Sequence, residues 1–212
     1  PAIKGALQTR ASEGRTGLVT SAAEHEAVLR PAERLHEEGH PVQILTPDMH
    51  GAVSPEQIAD AIDDTTALVS LMHANNETGV LTDIAAIAEV CQAHVVWLHC
   101  DAVQTAGLFD LDVKALDVDL LSLSSHKMYG PKGVGALYVR GGIDLVPLVE
   151  GGSQERNRRG GTENVPAVVG FAEALSRATD AAAERRAHLA RLQHRLIDAL
   201  QAAVHGPYVL TT

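Results

Sequence analysis

Short runs of consecutive apolar residues alternate with stretches where apolar side chains recur every three or four positions, and this alternation fills the first two-thirds of the chain. The runs at 16–21 (TGLVTS), 41–45 (PVQIL), 67–73 (ALVSLMH), 95–100 (VVWLHC), 119–124 (DLLSLS) and 134–140 (VGALYVR) predict strands. Residues 24–38 predict a helix with Ala27, Val28, Ala32 and Leu35 on one face and Gly39 as its stop. Ser54-Pro55-Glu56-Gln57 opens another, with a serine cap, a proline in the first turn and a glutamine to close a capping box. Residues 83–92 predict a third. Strands that are apolar almost throughout, separated by helices, specify an α/β three-layer sandwich with a mainly parallel sheet covered on both faces.

Beyond Arg140 the pattern changes. Residues 141–161 are rich in Gly and Arg without a period and predict an ordered loop. Residues 163–177 and 180–203 predict helices, the second with Leu189, Leu192, Leu196 and Leu200 in one stripe. Residues 207–212 (PYVLTT) predict a strand.

Composition narrows the function classes. The 212 residues are 45% hydrophobic and 21% charged, as in soluble globular proteins, and amount to one or two domains. No apolar run approaches the roughly 20 residues that span a bilayer, and no secretory signal opens the chain. A net charge of −10 has the wrong sign for a phosphate-backbone binder, and one Trp, three Tyr and two Phe are too few for a base-stacking platform. Cys91 and Cys100 form no CxxC pair, so a reduced, cytoplasmic protein is the expectation.

In parallel sheets ligands bind beyond the carboxyl ends of the strands. The residues there are His25, Asn75-Asn76-Glu77, Asp101 with Gln104, and Ser124-Ser125-His126-Lys127. Lys127 directly follows an apolar strand, where desolvation can free its amine to attack a carbonyl; the alternative is a surface lysine in a turn before Gly130-Pro131. Asp101 could hold a pyridinium proton, bind a metal or cap a helix. Together, a lysine for the aldehyde and a carboxylate for the ring nitrogen are what pyridoxal 5′-phosphate demands. Ser124 and His126 carry donors suited to its phosphate, or simply make a polar turn. His25 could stack on a ring or move protons, or be an ordinary polar side chain. Gly130-Pro131-Lys132-Gly133 lacks nucleotide-loop spacing, and no GxGxxG occurs. A metal site from Cys91, His94, His99 and Cys100 is disfavoured because strand alternation sends His99 and Cys100 to opposite faces.

The run SSHKMYGPKG at 124–133 with GALYVR at 135–140 closely resembles the cofactor-lysine segment of cysteine desulfurases, members of the class V aminotransferase family. TSAAEHEAVL at 20–29, HANNETG at 73–79, HCDAVQTAG at 99–107 and GGSQERNRRGGTENVP at 151–166 match in the same order. The last resembles the nitrogen-fixation and iron–sulfur-assembly branch. The resemblance implies the large domain of the aspartate aminotransferase-like fold. It also implies a Lys127 that binds the cofactor covalently and then moves the substrate α-proton. Asp101 would meet the pyridine nitrogen, Gln104 the ring 3′-oxygen, Asn76 the cofactor, and His25 the ring face. Ser124 and His126 would contact the phosphate, and Thr162 would reach it from the neighbouring subunit of a homodimer.

The implied reaction turns L-cysteine into L-alanine and an enzyme persulfide, passed to a sulfur-acceptor or scaffold protein for iron–sulfur cluster or thio-cofactor assembly. The family's upstream phosphate loop, its persulfide cysteine and its substrate-carboxylate arginine have no counterparts here, so a large-domain fragment without full activity is expected. Residues 1–177 would form the cofactor-binding domain and 178–212 a bridge toward a small domain. Ser125 stands where the family often has Gly. The alternatives are another class V enzyme, such as a selenocysteine lyase or an aminotransferase, and a non-catalytic dimerisation scaffold; a scaffold would need none of Lys127, Asp101, Gln104, His25 and Asn76.

Overall fold

A computed structural model describes residues 1–203; the strand expected at 207–212 lies outside them. Six strands form one sheet: β1 (Gly17–Ser21), β2 (Val42–Leu45), β3 (Thr66–Met72), β4 (Trp97–Asp101), β5 (Leu120–Ser124) and β6 (Gly135–Val139). Their order is β2-β1-β3-β4-β5-β6, parallel through β5, with β6 antiparallel at the edge. The helices are α1 (Ala2–Arg10), α2 (Glu26–Glu37), α3 (Pro55–Ala61), α4 (Ile84–Ala93), α5 (Val165–Asp180) and α6 (Ala182–Ala203).

Alternation along the strands divides their side chains between two cores. On one face Leu18, Leu68 and Leu120 pack with Ile3 and Leu7 of α1 and Val28, Ala32 and Leu35 of α2. On the other, Val19, Val69, Leu71, Leu98, Cys100 and Leu121 pack with Ile58 of α3 and Ile84, Ile87 and Cys91 of α4. Burying each large aliphatic side chain contributes about 1.5–3 kcal/mol, so a sheet apolar on both faces holds together only when both are covered.

Several expectations need adjustment. The helix expected at 24–38 begins at Glu26, because His25 Nδ1 accepts from Ala27 N–H (3.1 Å) and acts as its N-cap while Glu24 turns inward. The strand expected from Val95 begins at Trp97, since Val95 is a turn residue with φ 57°. No α-helix joins β4 to β5; turns fill that connection. The 141–161 loop carries a small hairpin of β7 (Ser153–Gln154) and β8 (Arg159–Gly160). Helix α1, which the periodicity did not reveal, ends in Arg10, whose guanidinium donates to Val95 O (2.8 Å), pairs with Glu13 (2.7 Å) and stacks on Trp97. The capping box at Ser54 forms as expected. The leucine stripe of α6 stays about half exposed among the described residues.

Helix α5 packs on the segment after β5 through two glycines. A Cβ on Gly130 would approach Ala174 Cβ to 2.9 Å and collide with Ser125 Oγ, and one on Gly170 would meet Pro131 at 2.7 Å. We expect Gly130→Ala to destabilise the chain by about 1–3 kcal/mol, the usual cost of overpacking. Urea denaturation of the two chains checks it; equal midpoints would mean that α5 does not sit against this turn.

Candidate active site

The chain reverses direction across the sheet at β1: β2 lies on one side of it and β3, reached through α3, on the other. Such a switch point opens a crevice at the carboxyl ends of the strands, where the loops diverge. The segment after β1 carries Glu24 and His25, the loop after β3 carries Asn75 and Asn76, β4 ends in Asp101, and β5 runs into Ser124 and Lys127.

Lys127 lies in a one-turn 3-10 helix, Ser125–Met128. Three residues per turn put Ser125 and Met128 on its inner side, where both are buried, and leave His126 and Lys127 outside. Met128 anchors the turn in a small core with Phe171, Ala178 and Ala106. Tyr129 closes it in the left-handed region (φ 64°), a conformation that costs a bulky residue energy and is held by this packing. The Lys127 ammonium forms no ion pair among the described residues. Ser124 Oγ and His126 Nδ1 share a hydrogen bond of 2.9 Å beside it.

Asp101 is partly buried. Its Oδ1 accepts from Val103 N–H (3.0 Å), and Oδ2 has no partner among the described residues. Burial pushes its carboxyl above the usual range, opposed by the Val103 bond and by the nearby His25. Gln104 follows in the turn after β4, half-buried, and Asn76 is exposed after β3. Thr162 is exposed in the loop before α5, and no hydrogen bond joins it to the strand-edge residues. The fold thus gathers His25, Asn76, Asp101, Gln104, Ser124, His126 and Lys127 at the carboxyl ends of the strands; Thr162 makes no hydrogen bond to them.

Three features escaped the sequence pattern. Asn75, rather than Asn76, ties the loops together: its Nδ2 donates to Ala23 O (2.8 Å), and its Oδ1 accepts from Glu77 N–H (2.8 Å) and Thr78 N–H (2.9 Å). Glu24 is buried behind the site. His99 bridges three strands, with Nδ1 on Ser70 Oγ (2.8 Å) and Nε2 on Ser122 Oγ (2.8 Å). Burial lowers His99 to about 4, and it is neutral near pH 7. Only its place between two serines on one face marked it, a pattern visible once β3, β4 and β5 are known to be neighbours. Cys91 and Cys100 are free and buried, and burial pushes both thiols up.

The chain matches the family "Aminotransferase class-V" over residues 2–210, and it belongs to that family. It is 45% identical over 199 residues to the cysteine desulfurase IscS of Methanosarcina thermophila, covering 94% of this chain and 49% of the relative. Among solved structures, a "NifS-like protein" superposes with a TM-score of 0.90 at 36% identity, covering 95% of this chain and 55% of the other. A structure of SspA in complex with cysteine gives 0.79 at 43% identity, covering 82% and 51%. The chain spans about half the length of the curated relatives it matches. The cofactor of this family is pyridoxal phosphate. The residues present fit it: among the described residues, a carboxylate with an open oxygen, a lysine free of ion pairs, and a hydroxyl–imidazole pair at the same end of the sheet.

Because its ordinary value is 6.5 and its folded value about 4, His99 binds fewer protons folded than unfolded, and its contribution to stability is lost as pH falls through that window. Thermal melts between pH 7 and 4 are expected to show a loss of up to about 3 kcal/mol from this group, at about 1.4 kcal/mol per pK unit, that His99→Gln lacks. Parallel pH profiles for the two chains would show that His99 is not held neutral.

Proposed function

We propose that this chain is the cofactor-binding part of a cysteine desulfurase, acting on L-cysteine to give L-alanine and a protein persulfide. The observation that carries the reading is the placement of Lys127 and Asp101 at the ends of adjacent parallel strands, neither engaged in an ion pair among the described residues, with His25 across the switch-point crevice. Support for the substrate comes from the relatives named cysteine desulfurase and from the similar SspA structure with cysteine.

Bound pyridoxal phosphate supplies an electron sink for bonds at the substrate α-carbon. Lys127 would hold the cofactor through its amine and would serve as the base that takes the α-proton on Nζ. The Asp101 carboxylate would keep the proton on the ring nitrogen; an anion beside a cation does so best where water is partly excluded. Gln104 would donate to the ring 3′-oxygen, Asn76 would contact the cofactor, and His25 would lie against the ring. Ser124 and His126 would hold the phosphate. Thr162, exposed in the loop before α5, would reach a phosphate in the second subunit of a homodimer.

Cys91 and Cys100 are inner-core thiols, so the persulfide falls to a cysteine in the part of the relatives' length that this chain does not span. Residues 1–177 form the cofactor-binding unit in this reading, with the rest as the bridge to a further domain. The sulfur passes to an acceptor or scaffold protein for iron–sulfur or thio-cofactor assembly in the cytoplasm. No helix among the described residues is long and apolar enough to cross a membrane.

Titrating the chain with pyridoxal phosphate while recording its visible absorption tests this. The expected result is a lysine-linked band that Lys127→Ala abolishes. Asp101→Ala should weaken binding about 10- to 100-fold, as loss of a charge-assisted bond does. A band that persists in Lys127→Ala would overturn the assignment.

A further inference from the structure

Glu24 is 6% exposed, deeper than its neighbour His25, and belongs to none of the roles above. Its Oε1 accepts from Met72 N–H at 2.7 Å, whereas its Oε2 is buried without a partner among the described residues. Met72 is the last residue of β3, and its register partner in β4 is Asp101. Glu24 therefore fastens the segment after β1 to the strand end beside the pyridine-binding carboxylate.

Two carboxylates close together in a partly dehydrated corner repel each other, and the one with fewer hydrogen bonds and less access to water takes up the proton. Each accepts one backbone N–H, so access to water decides: Glu24 is buried, its second oxygen included, whereas Asp101 is only partly buried. We propose that Glu24 is a positioning residue for Asp101: an uncharged carboxyl that pins the end of β3 through Met72 and leaves the corner's negative charge on Asp101. The link to the cofactor rests on the function proposed above.

Burial, reinforced by Asp101, moves the Glu24 carboxyl from 4.5 to about 8. From β4, Asp101 and Cys100 face it; from its own turn, His25 faces Asp101 and draws that carboxyl down. A carboxyl with a raised folded value lends stability that is complete below 4.5 and is lost as pH rises through about 8.

Two variants test the proposal in the 212-residue chain. Glu24→Gln keeps an acceptor for Met72 N–H and cannot ionise; Glu24→Ala removes the tie. In thermal melts without cofactor, the advantage of Glu24→Gln over the parent should grow from pH 4.5 to 8. A constant difference across that range would overturn the uncharged state. In pyridoxal phosphate titrations at pH 7, Glu24→Ala should bind at least tenfold more weakly, with the band of bound cofactor shifted, and Glu24→Gln should restore affinity to within about threefold of the parent. Parent-like binding by Glu24→Ala, or a glutamine variant as weak as the alanine one, would overturn the positioning role. Should the parent itself form no band, the cofactor reading fails, and the cofactor-free melts still decide the state of Glu24.

Discussion

A parallel sheet with apolar side chains on both faces has to be covered twice, and the covering helices leave only its ends open. Here α1 and α2 close one face and α3 and α4 the other, so the polar residues at the carboxyl ends have one direction left, outward into the crevice beside β1. Everything chemical about this chain follows from that enclosure. Lys127 is outside because Ser125 and Met128 of the same turn are inside, and the turn is inside because α5 presses upon it through Gly130 and Gly170.

The same enclosure creates a gradient of polarity along the sheet. Beneath the crevice, on the face shared with α1 and α2, lies a buried polar layer: Thr20 Oγ1 donates to Ser70 O at 2.7 Å, and His99 joins Ser70 to Ser122. These groups satisfy one another and carry no charge near neutral pH, so they lend the strand ends fixed dipoles rather than competing ions. Glu24 and Asp101 lie at the margin of that layer, where burial raises both carboxyls. A site built this way is stiff before any ligand arrives, because the loops bearing it are tied to each other: Asn75 to the segment after β1, Glu24 to the end of β3.

The membership of the class V aminotransferases and the approximately half-length match to cysteine desulfurases fit the surfaces of the described residues. Leu189, Leu192, Leu196 and Leu200 of α6, and Val165, Val168 and Val169 of α5, are exposed in numbers that α2, with its single buried stripe, does not show. At the near end of α6 the guanidinium of Arg185 lies over Tyr129, 5.6 Å from the ring centroid, and donates to Gly107 O at 2.9 Å. The long helix is thereby joined to the turn that carries Lys127.

The sequence alone determined the sheet, its mainly parallel sense, most of its helices and the polar strand ends, since apolar runs, helical periodicity and caps such as Ser54 are local signals. It also marked His25, Asn76, Asp101, Gln104, Ser124, His126 and Lys127, whose position after a strand can be read from the order of residues. It could not reveal α1, whose apolar residues at 2, 3, 6 and 7 acquire meaning only against Leu18 and Leu68. Nor could it separate Glu24 from the surface carboxylates of α2, or Asn75 from Asn76. Those distinctions depend on which strand lies next to which: only the order β1-β3-β4-β5 places Met72 within reach of Glu24 and His99 between two serines. Burial and hydrogen-bond partnership are pairwise properties across the fold, and they set the charge of a side chain whose identity the sequence only names.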